Sequence, residues 1–376
     1  LQVCIFNIIY GSMFSGMRKG YSAYKNVYKN LDLFPDFKPS LKMDGFFNTA
    51  ISNLPPFVKW AASFFGVSGD LDYGFNLLYE NYESQKNIKG INAESALFII
   101  LSAKINKTPE LVYDFSNSLD SSISQTFIHS YFRANIAFRI GKNEEAMNTM
   151  KNMDVGNNSS AAVIYNYMYG KILLRKLDPN AGYYLSRYLS NLEKKEYLKE
   201  MNYNLALFYL TNNDPEKYRE YCEIVRDEGM DINERDREAL YDASLDYFPD
   251  VNLVKARLLL DGGYYDRYGL AMDSFDTNNF SVLAYKLEYT FLGARFNAVN
   301  NNINMAIEQF NEVIEKGHDE DYYFASEAAL RLGDIYYSMG DKNIAHDHYQ
   351  KSIKLYKKDY YEYIEDKATK AFNKTK

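Results

Sequence analysis

Several residue types that mark whole classes of protein are scarce in this chain of 376 residues. It has two cysteines, four histidines, one tryptophan and eight prolines. The cysteines, Cys4 and Cys222, stand too far apart in the sequence to form a disulfide framework or a zinc knuckle. We interpret both as small buried apolar residues, and they leave the redox compartment open. The few prolines and the 20 glycines favour helices joined by short turns.

A strong charge of one sign is also missing. The formal net charge is −7, and acidic and basic residues are mixed without a long block of either sign. A nucleic-acid partner needs a dense basic face, so the composition argues against one. Carboxylates interrupt the lysine-rich segment 351–376, and we expect it to be a solvated helix face. No stretch reaches the ~18 apolar residues that a membrane-spanning helix requires.

Catalytic and metal-binding motifs are absent as well. The sequence holds no HExxH, CxxC, GxxxxGK[ST] or GxSxG pattern. His346 and His348 are two residues apart, which places them on different sides of a helix, so they do not chelate one ion. His129 stands alone and His318 precedes three acidic residues, and we expect each histidine to be solvated or to cap a helix. The sequence therefore predicts a non-enzymatic protein without a cofactor or a metal ion.

Apolar and aromatic residues are abundant in the chain. Hydrophobic residues make up 47% of it, aromatic residues 16%, and 36 residues are tyrosines. Tyrosine combines an apolar ring with a hydroxyl group, which suits positions packed against a neighbouring helix with one end in water. The length favours two or three compact domains, but a repeat array escapes that rule because it grows by stacking units.

The clearest internal repeat runs over residues 328–355. It has large, small and aromatic residues at the offsets of a tetratricopeptide unit. Its first helix, turn and second helix are marked by Leu332-Gly333, Tyr336, Gly340-Asp341, Ala345, Tyr349 and Ser352. We expect Gly333 and Ala345 where the paired helices come closest, because only small side chains fit there.

A second unit precedes this repeat by 39 or 40 residues. We place its two helices at Leu292-Gly293, Phe296, Ala306, Phe310 and Val313, with a turn one residue longer than the pattern expects. Weaker units lie within residues 134–150, 169–185 and 206–222. The best-formed tetratricopeptide repeats are therefore predicted over residues 280–356.

The whole chain has the pattern of helical hairpins. Asp178-Pro179 and Asp214-Pro215 each place an N-cap residue before a proline at the first helical position. No alternating polar and apolar run with hairpin turn residues predicts a β-sheet. We predict an all-α fold, a single right-handed α-solenoid superhelix of tetratricopeptide-like hairpins over residues 1–376.

One region, residues 43–82, departs from the repeat pattern. Pro55-Pro56 ends one helix and starts another, on which four aromatic residues share an apolar face: Phe57, Trp60, Phe64 and Phe65. One interpretation is a non-standard hairpin that caps or kinks the superhelix. The other is a surface helix that docks on a membrane or on a partner.

A family resemblance rests mainly on residues 54–74, LPPFVKWAASFFGVSGDLDYG. This segment resembles the hallmark segment of the tetratricopeptide repeat protein 39 family, which includes the yeast mitochondrial outer-membrane and inclusion-body-clearance protein. Val67 replaces the usual aromatic residue. Two further segments, KARLLLDGGYYDRYGL and YFASEAALRLGDIYYSMGD, resemble bacterial members from Bacteroidota. The resemblance implies a helical-repeat adaptor without catalytic residues, and family members usually carry further sequence before this point.

The chain opens in apolar sequence, LQVCIFNIIY. Leu1, Cys4 and Ile8 share one helical face, so we favour a helix already under way over the remnant of a signal peptide. The chain is then expected to be a piece of a longer protein. The sequence leaves the compartment undecided, although the cell envelope, periplasmic or outer-membrane associated, is favoured over the cytoplasm.

These features predict a scaffold that holds a protein or peptide of unknown identity on the concave face of its superhelix. Tyrosine is enriched at binding hot spots, and the candidate groove residues are Asn135, Tyr209, Asn297 and Tyr337. The alternative is a structural component of the cell envelope that makes a peripheral membrane contact through the 57–65 aromatic helix. A nucleic-acid partner is not expected.

Overall fold

The structure, a computed structural model, describes residues 13–52, 62–63, 66–85, 88, 94–100, 109–155, 159–191, 198–231, 233–273, 275, 280, 282–356 and 361–375. Within these ranges every regular element is a helix and none is a strand. The all-α helical-repeat class predicted from the sequence is confirmed.

The chain divides into two compact units. Unit 1 comprises residues 1–140 and 148–154, and unit 2 comprises residues 141–147 and 155–376. The single superhelix over residues 1–376 and its right-handed course stay predictions.

In the described ranges of unit 1, every regular element is a helix. Its bounded helices are α1 (Met13–Leu33), α2 (Lys38–Ile51), α3 (Leu71–Gln85), α4 (Pro109–Ser118), α5 (Ser121–Ser124) and α6 (Phe127–Arg139). The helices α2 and α3 are the largest described part of the atypical region, and they pack against each other. Glycines allow this approach, since a Cβ at Gly45 would lie 2.9 Å from the carbonyl oxygen of Gly74.

Unit 2 carries the hairpins. The helix α7 (Asn143–Lys151) is shared between the units, and α8 (Ser159–Arg175), α9 (Ala181–Ser190), α10 (Leu198–Thr211), α11 (Pro215–Asp227), α12 (Glu234–Ala243), α13 (Val251–Asp261), α14 (Tyr265–Asp273), α15 (Leu283–Val299), α16 (Ile303–Gly317), α17 (Phe324–Ser338), α18 (Lys342–Leu355) and α19 (Glu362–Lys374) follow. Consecutive helices pair as α8/α9, α10/α11, α13/α14, α15/α16 and α17/α18. The helix α12 packs against α10 and α11, and α19 packs against α17 and α18.

Each of these five hairpins turns through one residue with left-handed backbone conformation. The five residues are Leu177, Asn213, Gly263, Asn301 and Gly340, with φ between 58° and 89°. The residue after each of them donates its N–H to the carbonyl oxygen five residues earlier, at 2.8–2.9 Å. This bond is the signature of a Schellman motif, which ends the first helix. The same local motif therefore closes each of these five hairpins.

The positions of these turns show that the register assigned from the sequence to the repeat within residues 280–317 was shifted by one residue. The Schellman bond is accepted by the carbonyl of Asn297 in this repeat and by that of Tyr336 in the next. Gly333 lies three residues before Tyr336, so its equivalent is Ala294 and not Gly293. Ala294 is fully buried, whereas a Cβ at Gly293 would first meet the end of a flexible side chain at 3.0 Å. The extra turn residue expected from the sequence was wrong, because it followed from choosing the neighbouring glycine.

The crossing of α17 and α18 is as close as the sequence predicts. A Cβ at Gly333 would lie 2.5 Å from the Cδ1 and Cε1 atoms of Tyr349. Ala345 is fully buried, and so is most of Tyr349, whose hydroxyl group donates to Oδ1 of Asp334 at 2.9 Å. Small residues allow this approach, and the tyrosine places its ring in the core and its hydroxyl group at the edge.

Candidate protein-binding site

Asn297, one of the predicted groove residues, serves its own hairpin. It is 9% exposed. Its side-chain amide donates to Oε1 of Gln309 at 2.9 Å, and its Oδ1 accepts from the side chain of Asn302 at 3.2 Å. Together with the Schellman bond to its carbonyl oxygen, these contacts hold the turn between α15 and α16. A partner would have to replace these bonds in order to use this side chain.

Tyr209 is half-buried in the α10/α11 hairpin. Its ring stacks on that of Tyr221, with centroids 5.3 Å apart and planes 19° from parallel. Nζ of Lys217 lies 4.6 Å from the centroid of the Tyr209 ring. The carbonyl oxygen of Tyr209 accepts the Schellman bond from Asp214 at 2.9 Å. The contacts of Tyr209 are therefore mainly those of hairpin packing.

The other predicted residues are dispersed. Tyr337 lies near the end of α17 and is 44% exposed, whereas Asn135 is half-buried in α6 of unit 1. The candidate docking residues Phe57, Trp60, Phe64 and Phe65 lie outside the described residues. The three candidates of unit 2 belong to three different hairpins. A groove formed by them stays a prediction.

The histidines differ in part from the expectation. His318 occupies the C-cap position of α16, and its Nδ1 lies 2.7 Å from the carbonyl oxygen of Glu315, as expected for a capping residue. His129 is buried rather than solvated, and its Nδ1 lies 2.7 Å from Oγ1 of Thr126. His348 stacks on the ring of Tyr336, and burial lowers its pKa. The rings of His129 and His348 therefore pack within the fold, whereas His318 is exposed.

Cys222 is buried in α11, as the sequence predicts. Cys4 lies outside the described residues.

Charged side chains pair between the first helices of neighbouring hairpins. Arg257 of α13 lies 3.6 Å from Glu288 of α15, and Arg295 of α15 lies 2.6 Å from Asp261 of α13. Burial opposes the ionisation of Asp261, but Arg295 and Arg175 hold the pKa of its carboxyl below the usual value. At Glu288 burial outweighs the nearby Arg257 and raises the pKa. The two first helices therefore neutralise each other's charges.

The short helix α12 is held by the start of α19, about 120 residues later in the chain. The hydroxyl group of Tyr361 donates to Oδ1 of Asp242 at 2.7 Å. Nη2 of Arg237 lies 2.5 Å from Oε2 of Glu362. The rings of Tyr241 and Tyr361 meet edge to face with centroids 5.5 Å apart. Sequence reasoning missed this anchor, because no local spacing links α12 to α19.

A cavity of about 710 Å³ opens beside α12. Its lining comes from α12, the chain on either side of α12 and the connection between α16 and α17: Asp231, Arg237, Leu240, Tyr241, Ser244, Leu245, Asp246, Asp319, Glu320, Asp321 and Tyr322. Five carboxylates stand against one guanidinium, a formal charge of −4. The sequence analysis named none of these residues as a site, although the acidic run after His318 was visible.

Two tyrosines join the walls of this cavity. The hydroxyl group of Tyr241 donates to the carbonyl oxygen of Asp321 at 3.1 Å. The hydroxyl group of Tyr322 donates to Oδ1 of Asp246 at 3.4 Å, and its ring meets that of Tyr247 edge to face at 5.5 Å. These bonds tie the α16–α17 connection to the chain around α12. These contacts therefore hold the walls of the cavity together within unit 2.

The carboxylates of the cavity are spread along its rim. Asp231, Asp246, Asp319 and Asp321 are exposed. In the part of the chain that the structure describes, His, Cys, Asp and Glu side chains nowhere converge in a group of three or more suited to a metal ion. A concave surface lined by one sign of charge concentrates its field on counter-ions. The cavity therefore presents a surface of negative charge that attracts cations.

Among the helices that the structure describes, none combines the length and the apolar character needed to cross a bilayer.

Comparison with known proteins identifies the last hairpin. Residues 326–359 match the tetratricopeptide repeat family. No match was found among curated proteins. The matched segment contains most of α17 and all of α18, including the crossing of Gly333 with Tyr349. The chain therefore carries a tetratricopeptide repeat near the end of unit 2, a module that generally mediates protein–protein interactions and is typically not enzymatic.

Proposed function

We propose that the protein is a non-enzymatic scaffold whose unit 2 binds a segment of a partner protein. The tetratricopeptide repeat at residues 326–359 supports this role. The five hairpins with equivalent Schellman turns support it too, because stacked hairpins of this kind form extended binding surfaces. The pairing of Arg257 with Glu288 and of Arg295 with Asp261 fixes neighbouring hairpins to each other.

The acidic cavity beside α12 is the main support for the proposed location of the binding site. Its volume of about 710 Å³ accommodates more than one side chain. The negative rim attracts lysine or arginine, and the rings of Tyr241 and Tyr322 offer flat apolar surface to the stem of such a side chain. The partner segment accordingly places at least one basic side chain in this cavity.

A wider contact along the concave face of the hairpins belongs to the same proposal. Tyr337 is the strongest of the four candidate residues for it, because its side chain is 44% exposed. Asn297 and Tyr209 act through the geometry of their hairpins, and Asn135 belongs to unit 1. Binding at the cavity does not require any of the four.

The narrower family is also part of the proposal. Residues 54–74 resemble the hallmark of the tetratricopeptide repeat protein 39 family, and this resemblance supports an adaptor of that family from a bacterium. The alternative function, an envelope component that docks through the 57–65 helix, depends on residues outside the described ranges. No described contact favours it over the scaffold.

The test uses the full chain and an array of fluorescent dodecapeptides. The peptides carry one to four lysines or arginines at varied spacing, and a matched set carries glutamates instead. Basic peptides are expected to bind and acidic peptides are not, and added salt weakens binding because exposed charges are screened. Replacing two rim carboxylates, Asp319→Asn with Asp321→Asn, is expected to weaken binding by about tenfold or more.

A matched control separates the cavity from the charge of the whole chain. Asp266→Asn with Glu308→Gln removes two exposed carboxylates of unit 2 that do not line the cavity. This variant is expected to bind the basic peptides as the native chain does. Equal weakening in both variants, or equal binding of the basic and acidic peptides, contradicts a site at the cavity. An array without any bound peptide contradicts it as well.

A further inference from the structure

The connection between α1 and α2 exposes three large apolar side chains within five residues. Leu33, Phe34 and Phe37 are 65%, 59% and 50% exposed. Backbone bonds fix the connection, since the N–H of Phe34 donates to the carbonyl of Asn30 at 2.8 Å and that of Phe37 to the carbonyl of Phe34 at 3.1 Å. These bonds hold the three side chains on an ordered turn of unit 1. Leu33, Phe34 and Phe37 are called the apolar tip below.

Phenylalanine is an unfavourable residue at position 37 if unit 1 has no binding partner there. It occupies the N-cap position of α2 and makes no side-chain capping bond. Serine, threonine, asparagine and aspartate are favoured there because their side chains accept a bond from the helix N-terminus. Half of the Phe37 surface also remains in water. Clustered exposed apolar side chains of this kind mark interaction surfaces.

A basic helix face leads to this tip. The exposed cationic residues of α1 are Arg18, Lys19, Lys25 and Lys29. Arg18, Lys25 and Lys29 recur at intervals of seven and four residues, which places them on one side of the helix. Residues 18–38 hold five cations, with Lys38 after Phe37, against two carboxylates, Asp32 and the exposed Asp36 within the tip. This local excess of positive charge stands in a chain whose net charge is −7.

The opposite side of α1 faces α2, which fixes the direction of the basic face. The hydroxyl group of Tyr28 donates to Oδ1 of Asp44, and the side chain of Asn30 donates to Oγ of Ser40 at 2.7 Å. The rings of Tyr24 and Phe47 meet with centroids 5.6 Å apart. The cations of α1 therefore point away from the body of unit 1.

We propose that this corner of unit 1, the basic face of α1 with the tip at Leu33, Phe34 and Phe37, docks on an anionic membrane surface. The apolar tip enters the headgroup region, and the cations of α1 pair with lipid phosphates. This proposal concerns residues other than the 57–65 helix and does not rest on the peptide-binding role of unit 2.

The combination of features favours a lipid surface over other anionic partners. A nucleic acid would pair with the cations but would leave the three apolar side chains in water. A membrane interface satisfies both, because its phosphates lie beside the apolar boundary that buries aromatic and leucine side chains. Each cation near the surface increases binding about fivefold, so the loss of two of them is large enough to measure.

The experiment is co-sedimentation of the full chain with vesicles. One set consists of phosphatidylcholine alone, and the other contains about 30% phosphatidylglycerol. Binding is expected to the anionic set. Lys25→Gln with Lys29→Gln is expected to weaken it about twenty-five-fold, from about fivefold per cation. Phe34→Ser with Phe37→Ser is expected to weaken it at least about tenfold.

Matched controls lie on unit 2. Lys351→Gln with Lys354→Gln removes two exposed lysines, and Leu270→Ser removes a side chain that is 74% exposed. Both variants are expected to bind as the native chain does. Far-UV circular dichroism and thermal unfolding verify that the variants fold. Hydrogen exchange of the native chain needs no variant, and vesicles are expected to protect the amides of residues 32–38.

Four results would overturn the proposal. These are equal binding to neutral and anionic vesicles, absence of binding to both, unchanged binding of the α1 or tip variants, and vesicles that leave residues 32–38 unprotected. Displacement of bound vesicles by double-stranded DNA at equal phosphate concentration would assign the face to nucleic acid instead.

Discussion

Gly263 faces the backbone of Gly141 so closely that a Cβ on Gly263 would lie 2.1 Å from the carbonyl oxygen of Gly141. Both glycines have positive φ, 74° and 75°. The side-chain amide of Asn143 donates to the carbonyl of Ile172 and to the hydroxyl oxygen of Tyr264, both at 2.9 Å. Two turn segments of unit 2 and the last turn of α8, distant in sequence, therefore meet at one point.

The first prediction concerns this contact. Gly263→Ala and Gly340→Ala both place a side chain on left-handed backbone, which costs about 1–2 kcal/mol. Gly340 has open space around it, so its variant measures this cost alone. At Gly263 the clash with Gly141 adds to it, and we expect a total loss of about 3 kcal/mol or more in the free energy of unfolding. Urea unfolding measures both, and equal losses would show that the two turns do not touch.

The second prediction tests the corrected register. Gly333→Ala is expected to cost about 1–3 kcal/mol because the new methyl group meets the ring of Tyr349, and Gly333→Leu is expected to cost more. Gly293→Ala is expected to be neutral or to stabilise by up to about 1 kcal/mol, because alanine favours a helix. Thermal unfolding compares the two. If Gly293→Ala costs as much as Gly333→Ala, Ala294 is not the equivalent of Gly333.

The third prediction concerns the anchor of α12. Tyr361→Phe removes the donor to the half-buried carboxylate of Asp242 and is expected to cost about 1–2 kcal/mol. It should also lower the hydrogen-exchange protection of α12. Tyr183→Phe is the control, because Tyr183 is exposed and its change should stay within about 0.5 kcal/mol. Equal protection of α12 in the native chain and in Tyr361→Phe would refute the anchor.

The fourth prediction is a pH dependence. Burial raises the pKa of Glu238 to about 7, although Arg235 lies 3.1 Å away. In the unfolded chain a glutamate titrates near pH ~4.3. Between these values the folded state retains a proton that the unfolded state has released, so the stability contributed by Glu238 is complete below pH ~4.3 and is lost as the pH rises to about 7.

Glu238→Gln removes this dependence. At pH ~8 the variant is expected to be more stable than the native chain by on the order of 1–3 kcal/mol, and the difference should shrink as the pH falls to ~5. Urea unfolding at several pH values measures this difference. Parallel curves for the two proteins would mean that Glu238 does not titrate in this range.

The helix ends show how accurately local sequence predicts where a helix begins. The prediction at Asp214-Pro215 is confirmed, since α11 begins at Pro215 and the carboxylate of Asp214 accepts from the N–H of Lys217 at 3.1 Å. The prediction at Asp178-Pro179 was two residues early, because α9 begins at Ala181. Capping acts over three or four residues, so the residue types identify the end of a helix more reliably than its first residue.

The register of the repeat within residues 280–317 was beyond the reach of the pattern. Gly293 and Ala294 are adjacent and both small, so each satisfies the requirement for a small residue. The Schellman bond to Asn297 and the burial of Ala294 distinguish them. Both observations depend on where the second helix packs, which residue spacing does not specify.

The helices, their turns and the small residues at their crossings follow from the sequence, since each depends on residues within about one hairpin. The ion pairs between hairpins, the contact of Tyr361 with Asp242 and the acidic cavity do not. Asp231 and Tyr322 line that cavity together, although about 90 residues separate them. They meet because stacked hairpins return the chain to the same place, and the order and spacing of residues do not encode that return in any local pattern.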